Sequence, residues 1–347
     1  MLYPHLIFKK YLLDLPTLQK FDSQKMYEVY DRWPEIAQES YNVSLEPVKF
    51  QGIDHMVFAG MGGSGAIGSI FSSILSKTNI HVSIVKGYIL PKTVDSDTLV
   101  VTTSVSGNTD ETLTILDSAS RQDCKVISFS SGGKMEKFCM KKKIEYREIP
   151  KIHSPRGSFT RFLYSMLKVL NPVIPIPANE ISESIVEMKK LSSSINSENL
   201  TIDNPAINLA EWISGIPLIY YPAGLQAAAI RFKNSLQENA KMHAITEDVV
   251  ESSHNGIVSW EQQSSVIPIM IEGADDYIKT KDRWQILKKF FDGRNIEYKE
   301  IFSGEGNILT KLMRLVYLLD YASIYRSVLS GIDPTPVESI NFVKNNL

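Results

Sequence analysis

The sequence predicts an α/β fold of two three-layer αβα halves, each built on a parallel sheet. Three observations carry this reading. Short apolar, β-branched runs alternate with segments of helical apolar spacing along the chain. Two of those runs, Val57 to Ala59 and Leu99 to Thr103, lead into turns of glycine and hydroxyl residues that open helices. A strand–glycine turn–helix at Ile219 to Ala229 echoes the one at Val57 to Ile70, which makes the two halves a diverged internal repeat.

Residues Ser23 to Tyr41 carry Met26, Val29, Trp33 and Ile36 at helical spacing and are expected to form one leading helix. His55 to Ala59 reads as a strand, Gly65 to Leu75 as a helix and Val82 to Val85 as a strand. Leu99 to Thr103 reads as a buried strand, Asn108 to Ser120 as a helix, and Lys125 to Ser130 as a strand. Met135 to Lys142 is expected to be a helix and Ile144 to Ile149 the last strand of the first half. Such βαβ winding implies parallel pairing with right-handed crossovers. Pro150 and Pro155 break the pattern before a helix at Thr160 to Leu170. A proline-rich stretch, Pro172 to Pro177, and a charged helix at Glu180 to Ser193 complete a connecting region. The second half then offers a helix at Asn208 to Ser214, a strand at Pro217 to Tyr221 and a long helix from Leu225 to His243. Strand Val266 to Glu272, helix Thr280 to Phe291, strand Ile296 to Ile301 and helix Leu309 to Leu329 follow. The last helix is expected from Pro336 onward, with proline in its first turn.

Composition narrows the function classes. A chain of 347 residues with 43% hydrophobic residues can bury a sizeable core. A net charge of −2 gives no reason to expect nucleic acid or an anionic membrane as partner. The short basic run Lys141-Lys142-Lys143 suits a helix C-terminus. Cys124 and Cys139 read as reduced, buried residues of a cytoplasmic protein. No apolar run reaches membrane-spanning length. Residues Met1 to Phe21 lack the uninterrupted apolar core of a signal peptide and read as an N-terminal extension.

Chemistry concentrates in two places. In Gly60-Met61-Gly62-Gly63-Ser64-Gly65 and Ser104-Val105-Ser106-Gly107-Asn108-Thr109, glycines let the backbone approach a ligand and helix-start N–H groups bind anions. If their strands are neighbours, the two turns converge on one phosphate. The glycine spacing is not that of a dinucleotide fold, and there is no G-x-x-x-x-G-K-[ST] run, so a phosphorylated small molecule is expected. The other cluster is Glu238-Asn239-Ala240-Lys241 followed by Glu251-Ser252-Ser253-His254-Asn255. Glu238 and Lys241, three apart on a helix, are expected to share a face and can pair. A carboxylate and an imidazole beside a phosphate-binding edge suit acid/base work at a sugar carbonyl. The six histidines are scattered, with no H-x-H or H-x-x-x-H, so no metal site is expected.

The glycine and serine turns, with Ser131-Gly132-Gly133-Lys134, resemble the sugar isomerase (SIS) domain. With Pro155-Arg156-Gly157 and the Glu238 and His254 segments, the chain is similar to the bifunctional phosphoglucose/phosphomannose isomerases of archaea from about Asp22 onward. The resemblance implies two SIS-type, flavodoxin-like αβα subdomains. The division would be an extension at 1–21, a phosphate-binding subdomain at 22–150, connecting helices at 151–200 and a second subdomain at 201–347. It implies an aldose–ketose isomerase of hexose 6-phosphates that works through a cis-enediol without metal or cofactor. Glu238 would be the base, and Arg156 would stabilise the enediolate. His254 would assist ring opening from the neighbouring subunit of a homodimer with shared sites. Gly63, Ser64, Ser104, Ser106 and Thr109 would hold the phosphate. Lys344 is the best-placed residue for the family's C-terminal lysine near the ring oxygen, the alternative being a solvent-facing lysine. Val105, Ser253 and His243 depart from the family pattern. Two other readings of the same fold are a non-catalytic sugar-phosphate sensor and an aminosugar-phosphate isomerase or deaminase.

Overall fold

In the computed structural model, residues 13–346 are described. Residues 1–12 of the expected N-terminal extension lie outside them, and the remainder forms α1 (Leu15–Phe21), capped by Asp14 and anchored through the fully buried Leu18. The expected leading helix is two helices, α2 (Met26–Asp31) and α3 (Trp33–Tyr41). Pro34 accounts for the break: it lacks an N–H, and its ring excludes a continuous helix, so it sits in the first turn of α3.

Five parallel strands form the first sheet, in the order β2-β1-β3-β4-β5. They are β1 (His55–Ala59), β2 (His81–Val85), β3 (Thr98–Ser104), β4 (Lys125–Ser130) and β5 (Glu145–Glu148). Helices α4 (Gly62–Leu75), α5 (Asp110–Ala119) and α6 (Gly133–Lys142) connect them. Strands β1 and β3 are neighbours, with Ala59 opposite Thr102, so the two hydroxyl-rich turns leave adjacent strand ends. The order reverses between those two strands, which makes this the crevice where open α/β sheets bind ligands.

The second sheet repeats the pattern with four parallel strands, β7-β6-β8-β9. They are β6 (Ile216–Tyr221), β7 (Ile245–Asp248), β8 (Val266–Glu272) and β9 (Lys299–Phe302). Sequence reading missed β7. It is a short edge strand of partly exposed residues, so it shows little apolar alternation.

Between the sheets lies a helical layer of α4, α7 (Phe159–Leu170), α8 (Ala178–Ile195), α9 (Pro205–Trp212), α10 (Gln226–Asn239) and α13 (Ile308–Leu329). The main core joins this layer to one face of both sheets, through Phe58, Val101 and Phe129 on one side and Ile219, Ile269 and Ile271 on the other. On the opposite face of the first sheet, Val57, Ala59 and Val100 pack on α5. On that of the second, Tyr220 and Met270 pack on Trp284 and Phe291 of α12 (Ile278–Asp292). The period-two alternation of β1 thus divides it between two cores. Helix α11 (Val249–Ser252) follows β7, and α14 (Glu338–Asn345) closes the described chain. Pro336 precedes α14 instead of lying in its first turn.

Candidate active site

The first wall of the site is the start of α4. Gly62 adopts φ +53 as the chain leaves β1, and Ser64 lies buried in the first turn. The N–H groups of the first turn of a helix have no intrahelical partner. Gly63 lies against the Pro155 carbonyl oxygen and Arg231 Nη1, each 3.5 Å from where a Cβ would stand, which is ordinary van der Waals contact.

The serine turn is the second element. Ser104 is buried and its hydroxyl lies 2.9 Å from that of Thr109, whereas Ser106 is exposed. A third turn, after β4, fixes this one. Ser131 Oγ donates to the Val105 carbonyl at 2.6 Å, and the Met135 N–H donates to the Gly107 carbonyl at 2.9 Å. Gly107 has φ +66, and a Cβ there would overlap the Gly132 carbonyl oxygen.

The third wall is built around Arg156, which is only 4% exposed. Its Nε donates to Asn239 Oδ1 at 2.7 Å and its Nη1 to Glu238 Oε2 at 3.2 Å. Its Nη2 donates to the carbonyls of Pro334 at 2.6 Å and Thr335 at 2.7 Å. Asn239 is in turn held by Ser323 of α13 at 2.8 Å. Behind Arg156 sits Arg231, whose Nη2 donates to the Arg156 carbonyl at 3.0 Å and to Asp320 Oδ2 at 2.6 Å. Ser235 donates to the other Asp320 oxygen at 2.6 Å. Burial alone would lower the Arg231 pKa, but Asp320 outweighs it and holds the guanidinium firmly charged. The Arg231 guanidinium also lies 4.4 Å from the centre of the Phe159 ring.

Beside the start of α4 and the end of α10 lies a cleft of about 870 Å³, lined by Gly62, Glu238, Lys241, His243, Pro336 and Glu338 among others; the serine turn does not line it. Glu238 is thus brought into one cleft with the start of α4, and paired with Arg156. The pairing expected between Glu238 and Lys241 is not made. Helix α10 ends at Asn239, and Lys241 lies beyond it at φ +54, a conformation usually left to glycine. Its ammonium donates to backbone carbonyls of Glu238 at 2.6 Å and Pro334 at 3.1 Å. Burial of the ammonium and then the nearby Arg156 charge lower its pKa to about 8.

Of the expected site residues only Glu238 lines this cleft, with Arg156 joined to it; Gly63, Ser64, Ser104, Ser106 and Thr109 do not line it, and His254 and Lys344 lie elsewhere on the chain. His254 is exposed in the turn after α11, its N–H bonded to the Glu251 carbonyl at 2.9 Å. That turn is well held: Asp248 caps α11 and Asn255 donates to Glu251 at 2.8 Å. Lys344 is exposed in the last turn of α14. Sequence reasoning missed Arg231, Asn239 and Asp320. The available signal was polar Arg231, Ser235 and Asn239 at helical spacing on a helix that also buries Ala228, Phe232 and Leu236.

Comparison with known proteins agrees with this architecture. Residues 49–141 match the SIS domain, and residues 202–347 match the bacterial phospho-glucose isomerase C-terminal SIS domain. A bifunctional phosphoglucose/phosphomannose isomerase of Caldicellulosiruptor bescii is 32% identical over 93% of this chain and 98% of its own length. This chain belongs to that family. A relative named D-glucosamine-6-phosphate 4-epimerase, from Sulfolobus acidocaldarius, is 30% identical over 71% of this chain and 77% of its own. The C-terminal domain of glucosamine-fructose-6-phosphate aminotransferase from Francisella tularensis shares the fold, with TM-score 0.69 and 16% identity over 90% of this chain and 98% of that one.

The locked serine turn makes a direct prediction. Gly107→Ala forces both a left-handed alanine and an overlap with Gly132, so the turn must open. Folding stability should fall by about 1–3 kcal/mol, and KM for a phosphorylated substrate should rise at least about tenfold. Urea unfolding and steady-state kinetics check this; unchanged values for both would remove the turn from the binding site.

Proposed function

We propose that the protein interconverts glucose 6-phosphate and mannose 6-phosphate with fructose 6-phosphate through a cis-enediol. The observation that carries this reading is the Arg156–Glu238 ion pair in a cleft shared with Gly62. The phosphate is held by the start of α4, through Gly63 and Ser64, and by Ser104, Ser106 and Thr109. This leaves the reacting end of the sugar toward α10. Glu238 takes the C2 proton of the aldose while O1 gains a proton, giving the enediol; the carbon-bound proton then returns to C1 as O2 gives up its own, leaving the C2 ketone. The C2 proton is weakly acidic, so charge developing on the two sugar oxygens must be stabilised. The Arg156 guanidinium is permanently charged and lies beside the base. Protonation of C2 from either face of the enediol gives the two epimeric aldoses. The chemistry we assign needs neither metal nor cofactor.

We assign His254 to ring opening in the site of a second copy, which makes the working unit a homodimer with shared sites. Its exposure in a rigid turn, away from its own chain's cleft, supports that role. Lys344 stands at the other end of α14 from the cleft-lining residues Glu338, Ser339 and Ile340. We retain it as the candidate for the family's C-terminal lysine. Two free cysteines, Cys124 and Cys139, fit a reducing cytoplasm.

Glu238→Gln keeps the shape of the side chain and removes the proton acceptor. With fructose 6-phosphate, kcat should fall by about two or more orders of magnitude while KM changes little. Near-normal turnover would remove Glu238 as the base. A parallel incubation with glucosamine 6-phosphate tests the chemistry of the epimerase relative. Faster turnover of the aminosugar than of fructose 6-phosphate would transfer the assignment to aminosugars.

Complementation tests the shared site. Inactive Glu238→Gln and His254→Ala subunits, mixed under conditions that exchange them, should form dimers with one doubly defective and one intact site. Activity should recover to about a quarter of wild type after random exchange. Proven exchange without recovery would place both residues in one chain's site.

A further inference from the structure

Among the described residues Lys241 is the one lysine that lines the cleft, and the roles proposed above leave it without a task. It belongs to the four-residue run that carries Glu238, yet it lies past the end of α10. Its left-handed backbone, φ +54, folds the side chain back over the helix end.

Counting donors shows what task Lys241 can take. A guanidinium has five N–H groups and an ammonium three. Arg156 spends one on Asn239, one on Glu238 and two on the Pro334 and Thr335 carbonyls. Lys241 spends one on the Glu238 carbonyl and one on the Pro334 carbonyl. Each cation is left with a single donor. Both grip the carbonyl oxygen of Pro334, so their charges are fixed side by side. No carboxylate lies within ion-pair distance of Lys241 among the described residues, so its charge is available to a ligand in the cleft.

We propose that Lys241 is a second catalytic cation of this site, donating to the sugar oxygen that gains charge as Glu238 removes the proton. Arg156 and Lys241 then form a two-cation hole for the enediolate, one donor from each. The inference rests on the isomerase reading given above and adds a group to it. No proton is transferred by Lys241. It remains an ammonium through the reaction, so its contribution ends when it loses its proton. Burial and then the Arg156 charge lower the pKa of this ammonium to about 8, which places that loss within a measurable range. The other charged or titratable groups facing it are Arg156, Glu238 and Asp333, with His243 and Glu338 lining the same cleft.

The test compares Lys241→Met, which keeps length and removes charge, with Lys241→Arg, which keeps charge. With fructose 6-phosphate, Lys241→Met should lower kcat about a hundredfold while KM changes less than about threefold. The wild-type kcat should fall as pH rises through about 8, and that limb should vanish in Lys241→Met and move to higher pH in Lys241→Arg. Binding gives a readout that a merely structural role would not move. A five-carbon aldonate 5-phosphate, whose carboxylate imitates the enediolate oxygens, should bind Lys241→Met at least about tenfold more weakly than wild type. Sorbitol 6-phosphate, which lacks that planar oxygen pair, should bind both proteins equally. Equal loss of both ligands would mean a damaged cleft and overturn the proposal. So would kcat within threefold of wild type, or an alkaline limb that survives in Lys241→Met. Glu238→Gln assayed alongside separates the two readings: if it is inactive while Lys241→Met is active, only the role of Lys241 fails.

Discussion

The site depends on one buried guanidinium. Arg156 lies between β5 and α7, yet it joins the end of α10 to the segment before α14. Taking such a charge out of water costs several kcal/mol unless its donors are satisfied. Here four of them are, by one carboxylate, one amide and two carbonyls. Satisfying Arg156 therefore fixes the position of Glu238, the course of Pro334 and Thr335, and the wall of the cleft at once. Arg231 and Asp320 extend the arrangement into the core by holding the Arg156 backbone.

The shared helical layer explains why the start of α4 and Glu238 share a cleft although they belong to different halves. Helices α4 and α10 each follow the first strand of their sheet, and they pack on one another and on α13. Glu238 lies in the last turn of α10, where the helix dipole disfavours an anion. Arg156 at its carboxylate, and Lys241 at the backbone carbonyl of the same residue, offset that disadvantage.

Much of this was legible in the sequence. His55–Ala59, Lys125–Ser130 and Val266–Glu272 fold as the strands their apolar runs predict, because buried parallel strands read as continuous hydrophobic segments. The prediction that the two hydroxyl-rich turns share a phosphate needed β1 and β3 to be neighbours, and they are. The errors came from competing local effects. Apolar spacing over Ser23 to Tyr41 outweighed Pro34 in the reading, but not in the molecule. Helical spacing of Glu238 and Lys241 suggested an ion pair, while the chain turned left-handed before the pair could form. The partners of Arg156 were not legible as contacts, because they lie far away in sequence and are brought together only by packing of α10 against α13.

The central claim is that the carboxylate fixed by Arg156 moves a proton between C1 and C2 of a hexose phosphate. The direct measurement is nuclear magnetic resonance of the products formed from fructose 6-phosphate in D₂O. A base that exchanges with solvent while the enediol exists should leave deuterium at C2 of both glucose 6-phosphate and mannose 6-phosphate. Label found only at C4, or a C2 hydrogen that comes neither from solvent nor from C1 of a C1-deuterated substrate, would contradict the account.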